Sequence, residues 1–199
     1  MYPFIESIKL LNGVFYRMEL HQARIQTVFQ QFFPTSPVID LQKFLSTQNI
    51  PSTGLYKCRL VFDTRVNLFE FIPYSPKTIN SLKVVHADIE PCAYKSSNRS
   101  ALDAAFALRG TADDVLILNR GEITDTWYAN VALWNGHQWH TPQTPLIAGV
   151  QRADLLAKGL LIQKKITPDM LQNYQKLCIF NAMIEFGERV ISLNEVISD

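Results

Sequence analysis

Three stretches of this 199-residue chain bring together residue types that could do chemistry. The first is Lys95, in the polar run Pro91-Cys92-Ala93-Tyr94-Lys95-Ser96-Ser97-Asn98-Arg99. A lysine amine attacks a carbonyl carbon only when deprotonated, which burial or nearby positive charge can arrange. A solvated loop cation is the ordinary alternative. The second is Asp125, followed by Asn130 and flanked by the apolar residues Ile123, Val131 and Leu133. A carboxylate among buried positions needs a partner, and a protonated ring nitrogen would serve. The ordinary alternative is an aspartate beside a turn, accepting backbone hydrogen bonds. The third is Gly149-Val150-Gln151-Arg152, where the chain enters a helix. Free N–H groups and the helix dipole form a natural seat for a phosphate there, although many plain connections also enter helices through a glycine. On the residues alone, all three alternatives stay open.

The elements that must position these residues are legible from periodicity. Residues 4–11 alternate as a strand, and Asn12-Gly13 marks a tight turn into Val14-Phe15 and beyond. From about His21 to Phe33, Ile25, Val28, Phe29 and Phe32 recur at helical spacing, closed by Pro34 and Pro37. A short helix over about 40–48 has Asp40 as its N-cap. Strands over 55–63 and 67–74 follow, joined around Thr64-Arg65. A strand begins at Leu82, and after the Lys95 loop a helix over 98–109 stops at Gly110. Next come strand pairs joined at Arg120-Gly121 and at Asn135-Gly136, with Asp125 on one of these strands. A helix over about 150–158 follows. Thr167-Pro168-Asp169 opens another helix, with Thr at N-cap and Pro at N1. A last strand pair covers 176–184 and 189–195. Strands outnumber helices and pair largely through hairpins, so the class is α+β with mostly antiparallel sheets. Two small α/β units are expected, a small N-terminal domain over 1–78 and a larger domain over 79–199 carrying Lys95.

Composition narrows the function classes. Hydrophobic residues make up 47% and charged residues 19%, which describes a chain with a real core rather than a disordered one. The formal net charge is +1 with the basic residues scattered, so nothing marks a nucleic-acid or membrane-surface partner. No apolar run reaches the roughly 18 residues of a spanning helix, and the N-terminus lacks a signal-peptide pattern. The chain is read as cytoplasmic. Cys58, Cys92 and Cys178 are odd in number and widely spaced, and the four histidines show no metal-binding spacing, so no metal is expected.

Taken in order, these features carry a family resemblance. Ile5-Glu6-Ser7-Ile8 with Asn12-Gly13 resembles the F-E-T-I…dG opening of fold-type IV pyridoxal phosphate (PLP) enzymes, and His21-Gln22-Ala23-Arg24 looks like their H-x-x-R helix. Tyr94-Lys95 with Asn98-Arg99 is similar to the lysine motif of 4-amino-4-deoxychorismate lyases. Asp114 to Asn119, Ile123-Thr124-Asp125-Thr126 and Ala129-Asn130-Val131 resemble the d-E-v-l-l-l-d…V-T-E…a-N-l pattern. Thr141-Pro142, Pro145-Leu146 and Gly149 to Arg152 resemble T-P…l-l-x-G-i-x-R, and Phe180-Asn181-Ala182-Met183 resembles the lyases' c-N-A-l. The matches run from residue 5 to about 185. The chain is thus similar to the class IV aminotransferases and aminodeoxychorismate lyases, with a D-amino-acid aminotransferase-like fold.

The resemblance implies roles. Lys95 holds PLP covalently and moves protons at the substrate carbon. Arg24 meets the phosphate, as a fork of donors suits a dianion. The N–H groups of Val150 and Gln151 complete the phosphate seat, Asp125 pairs with the pyridine nitrogen, and Asn181 and Ala182 form a further wall of the site. Ser7 stands where such lyases place a threonine that donates a proton near the leaving group. Two departures are visible. The family usually has glutamate where Asp125 stands, so the reach is shorter by about 1.5 Å. Members also carry further strands before the F-E-T strand, so the chain reads as N-terminally shortened, with a sheet edge to be covered otherwise.

The implied reaction is elimination of pyruvate from 4-amino-4-deoxychorismate, giving 4-aminobenzoate for folate biosynthesis. The alternatives are a class IV aminotransferase acting on branched-chain or D-amino acids, and a PLP-binding protein without turnover. The resemblance also implies a small-molecule substrate and a homodimer.

Overall fold

The structure is a computed structural model that describes residues 3–197. It divides into two compact units, Met1–Pro76 with Ala93–Asn98, and Lys77–Cys92 with Arg99–Asp199. The sequence places Lys95 with the C-terminal domain, whereas residues 93–98 pack with the first unit. The reason is backbone pairing: Ile5 N donates to Lys95 O at 2.7 Å and Ser97 N to Pro3 O at 2.9 Å.

The first unit is one antiparallel sheet under a helix. Its strands are β1 (Phe4–Leu11), β2 (Val14–Phe15), β3 (Leu55–Phe62) and β4 (Val66–Pro73), in the order β2-β1-β3-β4. Asn12 and Gly13 have φ of 48° and 81°, the pair of positive values that a two-residue hairpin turn demands and that this dipeptide tolerates. The strand after the turn is shorter than its sequence suggests. Arg17 takes φ 55° and ψ 35°, which breaks the extended run, and α1 (Met18–Phe32) starts three residues before His21. His21, Ile25, Val28 and Phe29 are its buried stripe. Ile25, Val28 and Phe29 meet Phe4, Ile8, Leu60 and Phe62 from the sheet in the unit's core. The expected second helix forms only over Leu41–Leu45, as α2, with the Asp40 side chain accepting from Lys43 N at 2.9 Å.

The second unit stacks two sheets with a helix outside each. One sheet has the order β13-β5-β6-β7, from Val196–Ile197, Leu82–His86, Asp114–Asn119 and Glu122–Ile123. The other has the order β10-β9-β8-β11-β12, from Ile162–Lys164, Trp139–Pro142, Asn130–Trp134, Lys176–Phe180 and Val190–Ser192. Every residue of β6 is buried, because both faces are covered. Leu116 and Leu118 face the inter-sheet core with Val131, Leu133, Leu177 and Ile179. Val115 and Ile117 face Leu102 and Ala105 of α3 (Ser100–Ala107). Leu155 of α4 (Val150–Ala157) packs on the far side of the second sheet with Cys178 and Phe180.

The chain is α+β with mostly antiparallel pairing, as the sequence indicates, but β5 pairs β6 and β13 in parallel, and β9 pairs β10 in parallel. The edge strands β10 and β13, of three and two residues, are too short for a periodicity to register in the sequence. Two further corrections concern local geometry. The hairpin at Asn135-Gly136 exists, but Trp134 pairs with Trp139 across a four-residue loop, since Asn135 Oδ1 accepts from the backbone of both His137 and Gln138. The segment opened by Thr167-Pro168 is a 3-10 turn, Pro168–Asn173, rather than an α-helix.

Leu60 is fully buried in the first unit's core. Leu60→Ala is expected to lower unfolding stability by about 2–5 kcal/mol, read as a lower urea midpoint in equilibrium unfolding.

Candidate active site

The residues singled out from the sequence fall into two sets, one on each unit. On the first unit, Ser7 lies at the middle of β1 and Lys95 on the segment paired to the start of that strand. Lys95 Nζ lies 3.5 Å from Ser7 Oγ, at the long limit of a hydrogen bond. An amine and a hydroxyl so placed could share the handling of one substrate atom. The aromatic ring of Tyr94 anchors the lysine segment, packing edge-on against Phe4 and Phe32 at 5.2 and 5.0 Å between centroids.

Strand alternation sends Glu6 to the opposite face from Ser7, under α1. There it receives Arg24 through two hydrogen bonds, from Nε at 2.7 Å and from Nη2 at 2.6 Å, and His21 Nδ1 at 2.5 Å. One helical turn separates His21 from Arg24, so both reach the same carboxylate. Burial alone would raise the Glu6 pKa, but the Arg24 charge and the His21 hydrogen bond outweigh it and hold the carboxyl at about 2. Burial lowers the His21 pKa, against the pull of Glu6. His21 Nε2 is buried without a hydrogen-bond partner among the described residues. Arg24 is thus present as a buried, oriented guanidinium with two of its nitrogens committed to Glu6. Neither Glu6 nor His21 was assigned a role from the sequence. The signal was a glutamate inside a strand between Ile5 and Ile8, which must find a cation if the strand is buried.

On the second unit, Asp125 is not on a strand. It lies in residues 124–129, which carry the chain from β7 in one sheet to β8 in the other. It is nevertheless buried. Its Oδ1 accepts from Asn130 Nδ2 at 2.9 Å and its Oδ2 from Ile147 N at 3.0 Å. Burial pushes its carboxyl up to about 6, with the Asn130 and backbone hydrogen bonds opposing. Asp114, also missed, accepts from Trp127 N at 3.4 Å and so fastens the other end of the same loop.

Val150 and Gln151 open α4 directly after Gly149, and no side chain caps that end. The first N–H groups of a helix have no acceptor within it, so an anion can take them. Gln151 itself is turned inward. It donates to Asn181 O and to Ile184 O, and its Oε1 accepts from Phe186 N at 2.6 Å. Asn181 Oδ1 accepts from Met183 N and Ile184 N at 2.8 and 3.0 Å, so its side chain closes the turn that contains Ala182. Arg152 holds the helix from the opposite side, donating to Pro142 O at 2.7 Å and to Thr141 Oγ1 at 3.3 Å. The structure therefore brings Lys95 to Ser7 on one unit, and Asp125, the start of α4 and Asn181 together on the other.

Chemically, an amine, a hydroxyl and a buried guanidinium stand on one unit, an uncapped helix start and a buried carboxylate on the other. Within the second unit, the uncapped helix start suits a phosphate and the buried carboxylate a protonated ring nitrogen; within the first, the amine suits an aldehyde. Among the described residues there is no cluster that could hold a metal ion, and no helix long and apolar enough to cross a membrane.

The family described as Amino-transferase class IV matches residues 4–188. An uncharacterised protein of Haemophilus influenzae is 29% identical over 185 residues, covering 92% of this chain and 98% of that protein. A crystal structure from Haemophilus somnus, provisionally described as a 4-amino-4-deoxychorismate lyase, superposes with a TM-score of 0.84 at 27% identity, covering 92% of this chain and 97% of that one. A provisionally described amino-acid aminotransferase from Mesorhizobium loti superposes with a TM-score of 0.76 at 23% identity, covering 99% and 100%, a likeness of fold.

The Glu6 cluster makes stability depend on pH. A carboxyl at about 2 when folded and 4.5 otherwise adds stability that is complete above 4.5 and is lost as pH falls toward 2. Denaturant unfolding should show this acid limb in the wild type. Glu6→Gln, which leaves Arg24 buried without its carboxylate, should be destabilised at neutral pH by about 3–5 kcal/mol and show a flatter limb.

Proposed function

We propose that this chain, which belongs to the class IV amino-transferase family, holds PLP on Lys95 and eliminates pyruvate from 4-amino-4-deoxychorismate, releasing 4-aminobenzoate. The observation that carries the lyase reading is the hydroxyl beside the amine, Ser7 Oγ at 3.5 Å from Lys95 Nζ. An elimination needs both a base at the substrate carbon and a proton donor near the departing group, and these two side chains supply that pair. The likeness to the Haemophilus somnus protein supports the same substrate.

When bound, PLP supplies an electron sink for the pair released at the substrate carbon. The chain's own residues do the rest. Lys95 fixes the group covalently and exchanges a proton at the reacting carbon. Ser7 holds a proton for the leaving fragment. Arg24, kept charged and aimed by Glu6, and the N–H groups of Val150 and Gln151 take the phosphate. Asp125 holds the proton on the ring nitrogen. Its two hydrogen bonds, from Asn130 and from the Ile147 amide, would hold the carboxylate in place for that role. Asn181 and Ala182 form a wall of the site. By the same reading the enzyme works on a small molecule, in the cytoplasm and as a homodimer.

Purified protein given PLP should turn yellow and form a borohydride-fixed adduct that maps to Lys95 by peptide mass, and Lys95→Ala should do neither. Release of 4-aminobenzoate is measured beside keto-acid formation from a panel of L- and D-amino acids. The lyase reading expects the first product. Keto-acid formation alone makes the chain an aminotransferase, and colourless protein that takes up no PLP overturns both. Ser7→Ala should keep the adduct while losing about 100- to 10,000-fold in lyase turnover.

A further inference from the structure

Asn130 opens β8 and is one of the buried polar residues of the second unit. Its side chain joins two stretches distant in sequence, the sheet-switching loop that carries Asp125 and the connection from β9 that delivers α4. Nδ2 spends both its hydrogens, one on Asp125 Oδ1 at 2.9 Å and one on Ile147 O at 3.0 Å. Oδ1 lies so close to Gly149 that a Cβ at that position would come within 1.9 Å of it. Ile147 meets the carboxylate a second time, its N–H donating to Asp125 Oδ2 at 3.0 Å. Residues 125, 130 and 147–149 thus form a closed set of contacts, and the uncapped N–H groups of α4 begin one residue beyond it.

We propose that Asn130 is a positioning residue that sets the separation between Asp125 and the first turn of α4, and hence between the two ends of the cofactor site. This inference rests on the PLP reading above. The geometry needs a carboxamide. Two donors on one planar nitrogen are required, together with an oxygen small enough to lie on a bare glycine. Aspartate offers no donor and would set a second carboxylate against Asp125. Alanine leaves Ile147 O and Asp125 Oδ1 without their shared partner and opens space beside Gly149. Glycine at 149 answers the same constraint from the other side, since its φ of −69° is open to any residue and only the close approach of Asn130 forbids a side chain.

The test uses full-length protein bearing Asn130→Asp, Asn130→Ala, Gly149→Ala, or the last two combined. Competition of inorganic phosphate against PLP reads the phosphate end. The pH titration of the visible absorbance of the PLP-loaded protein reads the ring end. Thermal melting without cofactor reads the fold. Each single variant is expected to weaken phosphate competition by about tenfold or more and to shift the absorbance titration. Gly149→Ala should add little once Asn130 is already alanine, because the atom that it would strike is gone. A lower melting temperature with unchanged phosphate competition and titration overturns the proposal, as does a change at one end alone or full additivity of the two substitutions. Should Asn130→Ala fail to fold, Gly149→Ala carries the same two readouts. Wild-type protein that forms no adduct at Lys95 removes the PLP reading and this inference together. A normal wild-type adduct with unaltered variants removes the inference only.

Discussion

The second unit turns on the crossing between its sheets. A chain that leaves one sheet and enters the next must bury irregular backbone, and each polar group in such a stretch needs a partner. Here Ile117 and residues 124–125 exchange backbone hydrogen bonds, Asp114 takes the amide of Trp127, and Asp125 takes Asn130 and the amide of Ile147. The carboxylate that would serve a ring nitrogen is therefore also what ties the loop down. Both of its oxygens are hydrogen-bonded within the crossing. The same contacts leave a buried aspartate near a helix start without a side-chain cap among the described residues.

The first unit solves a related problem with full charges. Glu6 is placed on the core face of a central strand, where an unpaired carboxylate would be severely destabilising. Arg24 and His21, a turn apart on the helix above, neutralise and orient it. The arrangement holds the guanidinium in one orientation through two hydrogen bonds to a single carboxylate. The same strand presents Ser7 on its other face toward Lys95, and one stretch of four residues thereby serves two purposes through alternation alone.

The fold and the choice of reaction rest on different grounds. The family match spans almost the whole chain, and it accounts for the order of elements and the positions of the motifs. A fold of this kind hosts both eliminations and transaminations, so it does not select between them. What bears on the reaction is local, the amine of Lys95 beside the hydroxyl of Ser7. The substitution of aspartate for the family's usual glutamate shortens the reach, and the structure shows Asp125 already engaged on both oxygens.

Much of this was legible in the sequence because it depends on local rules. The turn at Asn12-Gly13, the helix stripe from His21 to Phe29, the Asp40 cap and the glycine before Val150 are set by backbone sterics and near-neighbour periodicity. The order of the short motifs identifies the family. What needed the tertiary structure were the contacts made across long sequence separations. No spacing rule joins Lys95 to the start of β1, Glu6 to Arg24, or Asn130 to Ile147 and Gly149. Nor could a two-residue edge strand, or a loop crossing between sheets, reveal itself through periodicity. The sequence by itself determined which residues could do chemistry and which short elements carry them. Only the packed chain decided which carboxylate is buried, which donors reach it and where a glycine is obligatory, because desolvation and close approach are properties of neighbours that the chain brings together only on folding.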